Sequence, residues 1–232
     1  KQLKMEPNTT LWLCTDIQSH AKHLPIRDNA EFVANLAQWR QCVSRIYIWD
    51  YYVNFNNFMN YEPSIYSMSD NLKFYRDHGV TGVMLQGDLQ SKGGAMQPLY
   101  TWVLERLLWN PDLAPVALID EFCAGYYGRA GEPMARLYRA VYEYGKAGRQ
   151  APEDARAFDA FEYDCLTEAY RLAGDDLALI ERLEVAELPS LVRTVNAASM
   201  AACRAGKPYD AELQSQLKRL ADLVQRHQAW NF

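Results

Sequence analysis

The stretch SRIYIWDYYVNFNNF, Ser44–Phe58, decides how the chain is read. It holds six aromatic residues, three asparagines and a single carboxylate, Asp50. Ile and Tyr alternate into Trp-Asp-Tyr-Tyr, which suits an extended strand, and the asparagines that follow suit a loop. In a strand, side chains alternate between faces, so Ile46, Ile48 and Asp50 share one face and Tyr47, Trp49 and Tyr51 the other. A bulge at the strand end would be needed to bring Asp50 and Trp49 to one ligand.

Two more runs end the same way. LWLCTD closes on Asp16 and VMLQGD on Asp88. In parallel α/β architectures, ligands gather beyond the carboxyl ends of the strands, so three acids there would converge on one pocket. The competing reading is that each Asp caps a turn or helix, as Asp commonly does. That reading is ahead for Asp16 and Asp88. For Asp50 the bulky aromatic neighbours favour a ligand role.

Between these runs the period is helical. From about Asn29, Phe32, Leu36, Trp39 and Val43 fall on one face. Ser67 or Ser69 caps a helix through Phe74 that stops at Gly79. After Ser91-Lys92-Gly93-Gly94, a helix carries Leu99, Trp102, Val103 and Leu107 on its inner stripe and ends before Pro111. The order is β-α-β-α-β-α, with parallel strands near 9–15, 45–51 and 80–86. The crossovers are ample for a helix and too long for a hairpin. Continuous apolar strands predict a sheet covered on both faces. Three strands are few, so either more lie upstream or the sheet is unusually small.

From Asp112 onward the pattern is helical throughout, over roughly 115–127, 132–147, 153–173, 176–205 and 210–229. Pro189 is expected to break or kink the fourth of these. Leu213, Leu217, Leu220 and Val224 form a regular apolar stripe. Residues 148–152 are the best linker candidate. The chain divides into 1–111, an α/β portion, and 112–232, a helical region.

The 232 residues are 49% hydrophobic and 23% charged, the composition of a globular chain. A net charge of -5 without a basic cluster argues against nucleic acid. No run is long enough to span a bilayer. The chain starts at Lys1, which suggests a fragment or a processed product. Five scattered cysteines with no C-x-x-C pair make a zinc site improbable, and their odd number leaves at least one thiol free or paired between chains. No metal and no cofactor is called for. Dinucleotide, P-loop, serine-hydrolase and zinc-protease signatures are all lacking. His20 and His23 lie just past the first strand, where a binding loop would lie. Surface histidines are the commoner outcome there. Gln86 ends the third strand and needs hydrogen-bond partners if buried. Ser91–Gly94 opens a helix and could hold an anion at its N-terminus, or simply give the helix a flexible entry.

IYIWDYYVNFNNF, NLKFYRDHGVTGVMLQGD, GGAMQPLYTWVLERLLWNPD and LIDEFCAGYYG, taken in this order, resemble a bacterial glycoside-hydrolase-like family catalogued as a domain of unknown function. It often follows an α-glucuronidase-like domain, and relatives include endo-β-N-acetylglucosaminidases. The resemblance spans roughly Thr9 to Gly128. It implies a (β/α)8 TIM-type barrel, with this chain as its C-terminal part of about three parallel strands followed by an all-helical region. The main catalytic acid and the other half of the barrel would lie upstream. It implies a carbohydrate substrate, with Trp49, Asp50, Tyr51, Asn54, Gln86 and His20 as binding residues. Asp16 and Asp50 are the catalytic candidates within this chain. Periplasmic or extracellular placement follows from the resemblance, with a cytoplasmic one left open. Relatives carry Glu in place of Leu85 and Ala95, so the pocket differs in charge. Aromatic rings stack on the apolar faces of a pyranose while a carboxylate accepts its hydroxyls, which is the ligand role expected of Trp49-Asp50-Tyr51. The alternative is a carbohydrate-binding or structural module with no catalytic pair.

Overall fold

The computed structural model describes residues 4–15, 25–53, 55, 57–88, 93–147 and 155–229. Three strands form one sheet in the order β1 (Thr10–Cys14), β2 (Arg45–Tyr51), β3 (Gly82–Gln86), and both pairs are parallel, as the crossover lengths predict. Helix α1 (Ala30–Trp39) fills the first crossover and α2 (Ser64–Asp77) the second. Helix α3 (Gln97–Trp109) follows β3. Asn29 caps α1 by accepting from the Phe32 amide at 3.0 Å. Gly79, at φ +69°, ends the turn after α2, where a side chain would be strained.

The cap of α2 differs from the expectation. The helix begins at Ser64 directly after Pro63, so Ser67 and Ser69 lie inside it and buried. The Ser64 hydroxyl donates to the Tyr52 carbonyl at 2.8 Å, tying the helix start to the end of β2.

Among the described residues, the sheet is covered by helices on one face only. Ile46 and Ile48 are fully buried in a core shared with Phe32 and Leu36 of α1, Leu72 and Tyr75 of α2, and Leu99 and Val103 of α3. Leu11, Leu13, Val83 and Leu85 pack against that core. The opposite face carries Trp12, 55% exposed, and Tyr47, 41% exposed. The expectation of a sheet covered on both faces is therefore corrected. The strands do alternate, but aliphatic residues face the helices and aromatic residues face away, so both faces read as apolar.

The remaining helices are α4 (Pro115–Tyr127), α5 (Gly131–Lys146), α6 (Ala155–Ala173), α7 (Leu177–Arg204) and α8 (Ala211–His227). Helix α7 runs through Pro189 without the break that was one of the two outcomes expected there. A proline there removes one hydrogen bond. Leu188, Leu191, Val192 and Val195 hold the helix on both sides of it, packing with Leu213, Leu223 and Val224 of α8 in a second, smaller core. The first core continues across residue 112 from Ile26 to Leu183, so packing does not stop where the strands do. The 148–152 linker candidate lies outside the described residues. All five cysteines are free thiols. No helix among the described residues is long and apolar enough to cross a membrane.

Candidate functional site

The open face of the sheet is laid out in rungs by the strand register. Trp12, Tyr47 and Gly82 form the first, Cys14, Trp49 and Met84 the second, and Tyr51 and Gln86 the last, at the carboxyl end. Tyr47 lies across Gly82, where a Cβ would stand 2.8 Å from the ring, so glycine makes room for the aromatic. The rings run in a chain up the face. Trp12 meets Tyr47 edge-on at 6.2 Å and Trp49 at 5.9 Å; Trp49 meets Tyr51 at 6.4 Å; Tyr51 meets Phe55 edge-on at 5.5 Å. Such geometries add modest attraction beyond area burial.

Polar groups close the top of this stripe. The Trp49 indole N–H donates to Gln86 Oε1 at 2.8 Å. Tyr51 Oη and Cys14 Sγ lie 2.9 Å apart in a hydrogen bond. That bond with Cys14, followed by burial and the charges of Cys14 and Asp50, pushes the Tyr51 phenol up to about 12, so it stays protonated at neutral pH.

Asp50 faces the other way. It is fully buried on the helix-covered side. Its Oδ1 accepts from Thr15 Oγ1 at 2.8 Å and from the Tyr51 amide at 2.9 Å. Its Oδ2 accepts from Tyr75 Oη at 2.6 Å and Asn71 Nδ2 at 3.3 Å. Asn71 and Tyr75 are four apart on α2 and so present side chains to the same spot. Asn71 in turn accepts from the Ile26 amide at 2.6 Å. One carboxylate thus ties β1, β2 and α2 together, with Ile26 joined through Asn71. Burial, reinforced by the Asp50 charge and hydrogen bond, holds the Tyr75 phenol well above its ordinary range.

The structure therefore brings Trp49, Tyr51 and Gln86 together on one face and places Asp50 on the opposite one, without a bulge. Asp16, His20, His23, Asn54, Ser91 and Lys92 lie outside the described residues. Asp88 is buried beyond β3, and its main-chain carbonyl accepts from Gln97 Nε2 at 2.9 Å. Leu85 pairs with Asp50 across the sheet and packs on the helix side. Ala95 is buried, its amide donating to the Phe58 carbonyl at 2.8 Å and so joining the loops after β2 and β3.

Two groups went unnoticed in the sequence. Glu62, in the loop after β2, is buried, and burial pushes its carboxyl up to about 8. Glu162 of α6 is buried between Tyr61, whose hydroxyl donates to it at 2.6 Å, and Arg193 of α7, which also stacks over the Tyr61 ring. No local pattern marks either. Glu62 stands in a polar loop, and the Glu162 partners are far apart in the chain.

The sequence profile of a family described as a domain of unknown function, DUF4838, matches residues 1–139. This is more than half of the chain. The chain belongs to the DUF4838 family. The DUF4838 match takes in the whole sheet, α1 to α4 and part of α5, while α6 to α8 lie beyond it. No curated protein and no solved structure matches the chain.

Proposed function

We propose that this DUF4838 chain supplies the last three β/α units of a (β/α)8 barrel, and that the whole is a glycoside hydrolase acting on an N-acetylhexosamine-containing glycan. The observation that carries this reading is the one-sided sheet. Strands in the order β1-β2-β3 with every covering helix among the described residues on one face are singly wound. A doubly wound sheet places helices on both faces, whereas a barrel keeps its helices outside and buries the inner face by closure. The bare aromatic face would be the barrel interior, and the free edges of β1 and β3 would be where the other strands join.

On this reading the Tyr51–Gln86 rung stands at the ligand-binding end. Trp49 and Tyr51 offer ring faces and Gln86 an amide. Asp50 acts through Tyr51, by holding the end of β2 in place from behind. Glycosidases divide their work between two carboxyl groups. None of the residues that the three rungs place on the open face is a carboxylate. On this reading the acid pair is supplied by residues outside these rungs. The lack of a carboxylate there equally favours the second reading, a binding module without catalysis.

Two measurements decide. The purified 232-residue chain should bind an N-acetylglucosamine trisaccharide, read by tryptophan fluorescence, yet leave an aryl N-acetylglucosaminide intact. Turnover by this chain alone would overturn the division of labour. Turnover by the longer protein supports the enzyme; binding without turnover supports the module. Neither binding nor turnover in either form would end the carbohydrate reading.

A further inference from the structure

Helices α7 and α8 border a cleft of about 330 Å³ that lies beyond the family match. Among the described residues that line it, Leu223 alone is apolar. Two arginines in its wall are clamped. Arg219 donates from Nε and Nη2 to Glu187 of α7, at 3.2 and 2.6 Å, and Glu187 also accepts from the Tyr170 hydroxyl of α6 at 2.7 Å. Arg226 donates from Nη1 to Glu184 Oε1 at 2.7 Å, while Glu184 Oε2 lies 2.8 Å from His227 Nε2. Each guanidinium is therefore held in one orientation and its charge balanced by a carboxylate. The Nη1 edge of Arg219 keeps its donors.

Lys218 and Asp222 line the same cleft. They are four apart on α8 and so lie on one face. Among the described residues, neither side chain has a hydrogen-bond or ion-pair partner, and they do not pair with each other. A lysine that precedes an acid by four residues is the less favourable order for such a pair. The cleft thus holds one unpaired charge of each sign between two neutralised arginines. An anion alone would face Asp222, and a cation alone would face Lys218. A ligand with both charges satisfies both.

We propose that this cleft binds a short zwitterion, its anionic group on Lys218 and the Arg219 Nη1 edge, its ammonium on Asp222. Side chains four apart start about 5–6 Å from one another, so a ligand with a few carbons between its charges spans them. Its methylenes then lie over Leu223. This site is independent of the carbohydrate reading and of the open face of the sheet.

The test uses the 232-residue chain and three probes of matched length: γ-aminobutyrate, butyrate, which lacks the ammonium, and butylammonium, which lacks the carboxylate. Titrations at low salt, where exposed charges are least screened, are followed by NMR shifts of the α8 amides. γ-Aminobutyrate should bind roughly tenfold more tightly than either fragment, the worth of one charge-assisted hydrogen bond. Asp222→Asn should bring it down to the level of butyrate, and Lys218→Gln should weaken it by a similar factor. Both residues are exposed, so both variants should melt like the parent. Unchanged binding in either variant overturns the assignment. Butyrate or butylammonium binding as tightly as γ-aminobutyrate does the same. No saturable shift with γ-aminobutyrate up to about 10 mM, well above a millimolar Kd, removes the site altogether.

Discussion

Replacing Asp50 with asparagine tests the network at the end of β2 most directly. An amide is nearly isosteric with the carboxylate but keeps only one acceptor oxygen. Two of the donors around Asp50 are hydroxyls, Thr15 and Tyr75, which can turn and accept instead. The other two cannot. The Tyr51 backbone N–H always donates, and it points at Oδ1. Asn71 Nδ2 points at Oδ2, and it is held that way round because Asn71 Oδ1 already accepts from Ile26. Whichever way the new amide turns, its NH2 meets one strict donor.

The loss is one hydrogen bond to a charged group, worth about 1.5–3 kcal/mol, with a buried donor left facing another. We expect Asp50→Asn to destabilise the fold by about 2–4 kcal/mol. For a chain of this size that lowers Tm by roughly 4–16 °C. Urea unfolding followed by circular dichroism gives the free energy if the transition is two-state. Tyr75→Phe removes one of the same bonds, and the double variant should show coupling above about 0.5 kcal/mol. An Asp50→Asn chain within about 0.5 kcal/mol of the parent would refute the reasoning, because a buried hub cannot lose its charge at no cost. Sugar binding measured on the same preparation separates a ligand role for Asp50 from its bracing role.

Glu62 gives a pH signature with a definite sign. Burial raises its folded-state pKa to about 8 from an ordinary value of 4.5, so between these values the folded state binds the extra proton and stability falls as pH rises. The slope approaches about 1.4 kcal/mol per pH unit at most, and Glu62→Gln should flatten it and be more stable than the parent at pH 8, as read by melting curves from pH 5 to 8. Arg193→Met leaves the Glu162 carboxylate buried without its cation, so we expect a loss of about 3–5 kcal/mol in urea unfolding. A loss under about 1 kcal/mol would show that Glu162 is held neutral, the direction in which burial pushes it.

Much of the fold can be read along the chain, because the signals are local. Asn29 and Asp210 sit before helical periods and do cap them, and Gly79 ends α2 with a positive φ. The parallel order follows from crossover length. What cannot be read is where each face ends up. The alternation in RIYIWDY gives the correct partners on each face, yet both halves are apolar, and only the helices decide which half they cover. Asp50 shows the limit most clearly. Its direction follows from strand parity, but its partners Asn71 and Tyr75 come from a helix more than a turn of sheet away, and nothing near Asp50 announces them. Pro189 does not break α7, whose residues on both sides of it are packed against α8. The grouping of Trp49, Tyr51 and Gln86 is half legible: Trp49 and Tyr51 alternate within one strand, while Gln86 joins them only through the register of β2 and β3.

The helices beyond residue 139 bear on the same end of the sheet. Met59, in the loop after β2, is fully buried in the small core of α7 and α8. Tyr61, two residues on, is held by Glu162 of α6 and Arg193 of α7. Gly93, in the loop after β3, lies against α7 and the residues after α8 so closely that a Cβ would stand 2.3 Å from that of Ala229 and 3.1 Å from Leu188 Cδ1. The amide of Ala95 then links the two loops to each other through Phe58. Loops at the carboxyl ends of strands carry ligand contacts in α/β proteins because they vary freely, and their usual weakness is mobility. Here three helices outside the family match hold Met59, Tyr61 and Gly93 of these loops by a buried ion pair, a methionine in an apolar core and a contact that only glycine allows. The helical region is therefore part of what shapes the end of the sheet where Tyr51 and Gln86 stand, and the two stretches of sequence that differ most in character meet at the candidate site.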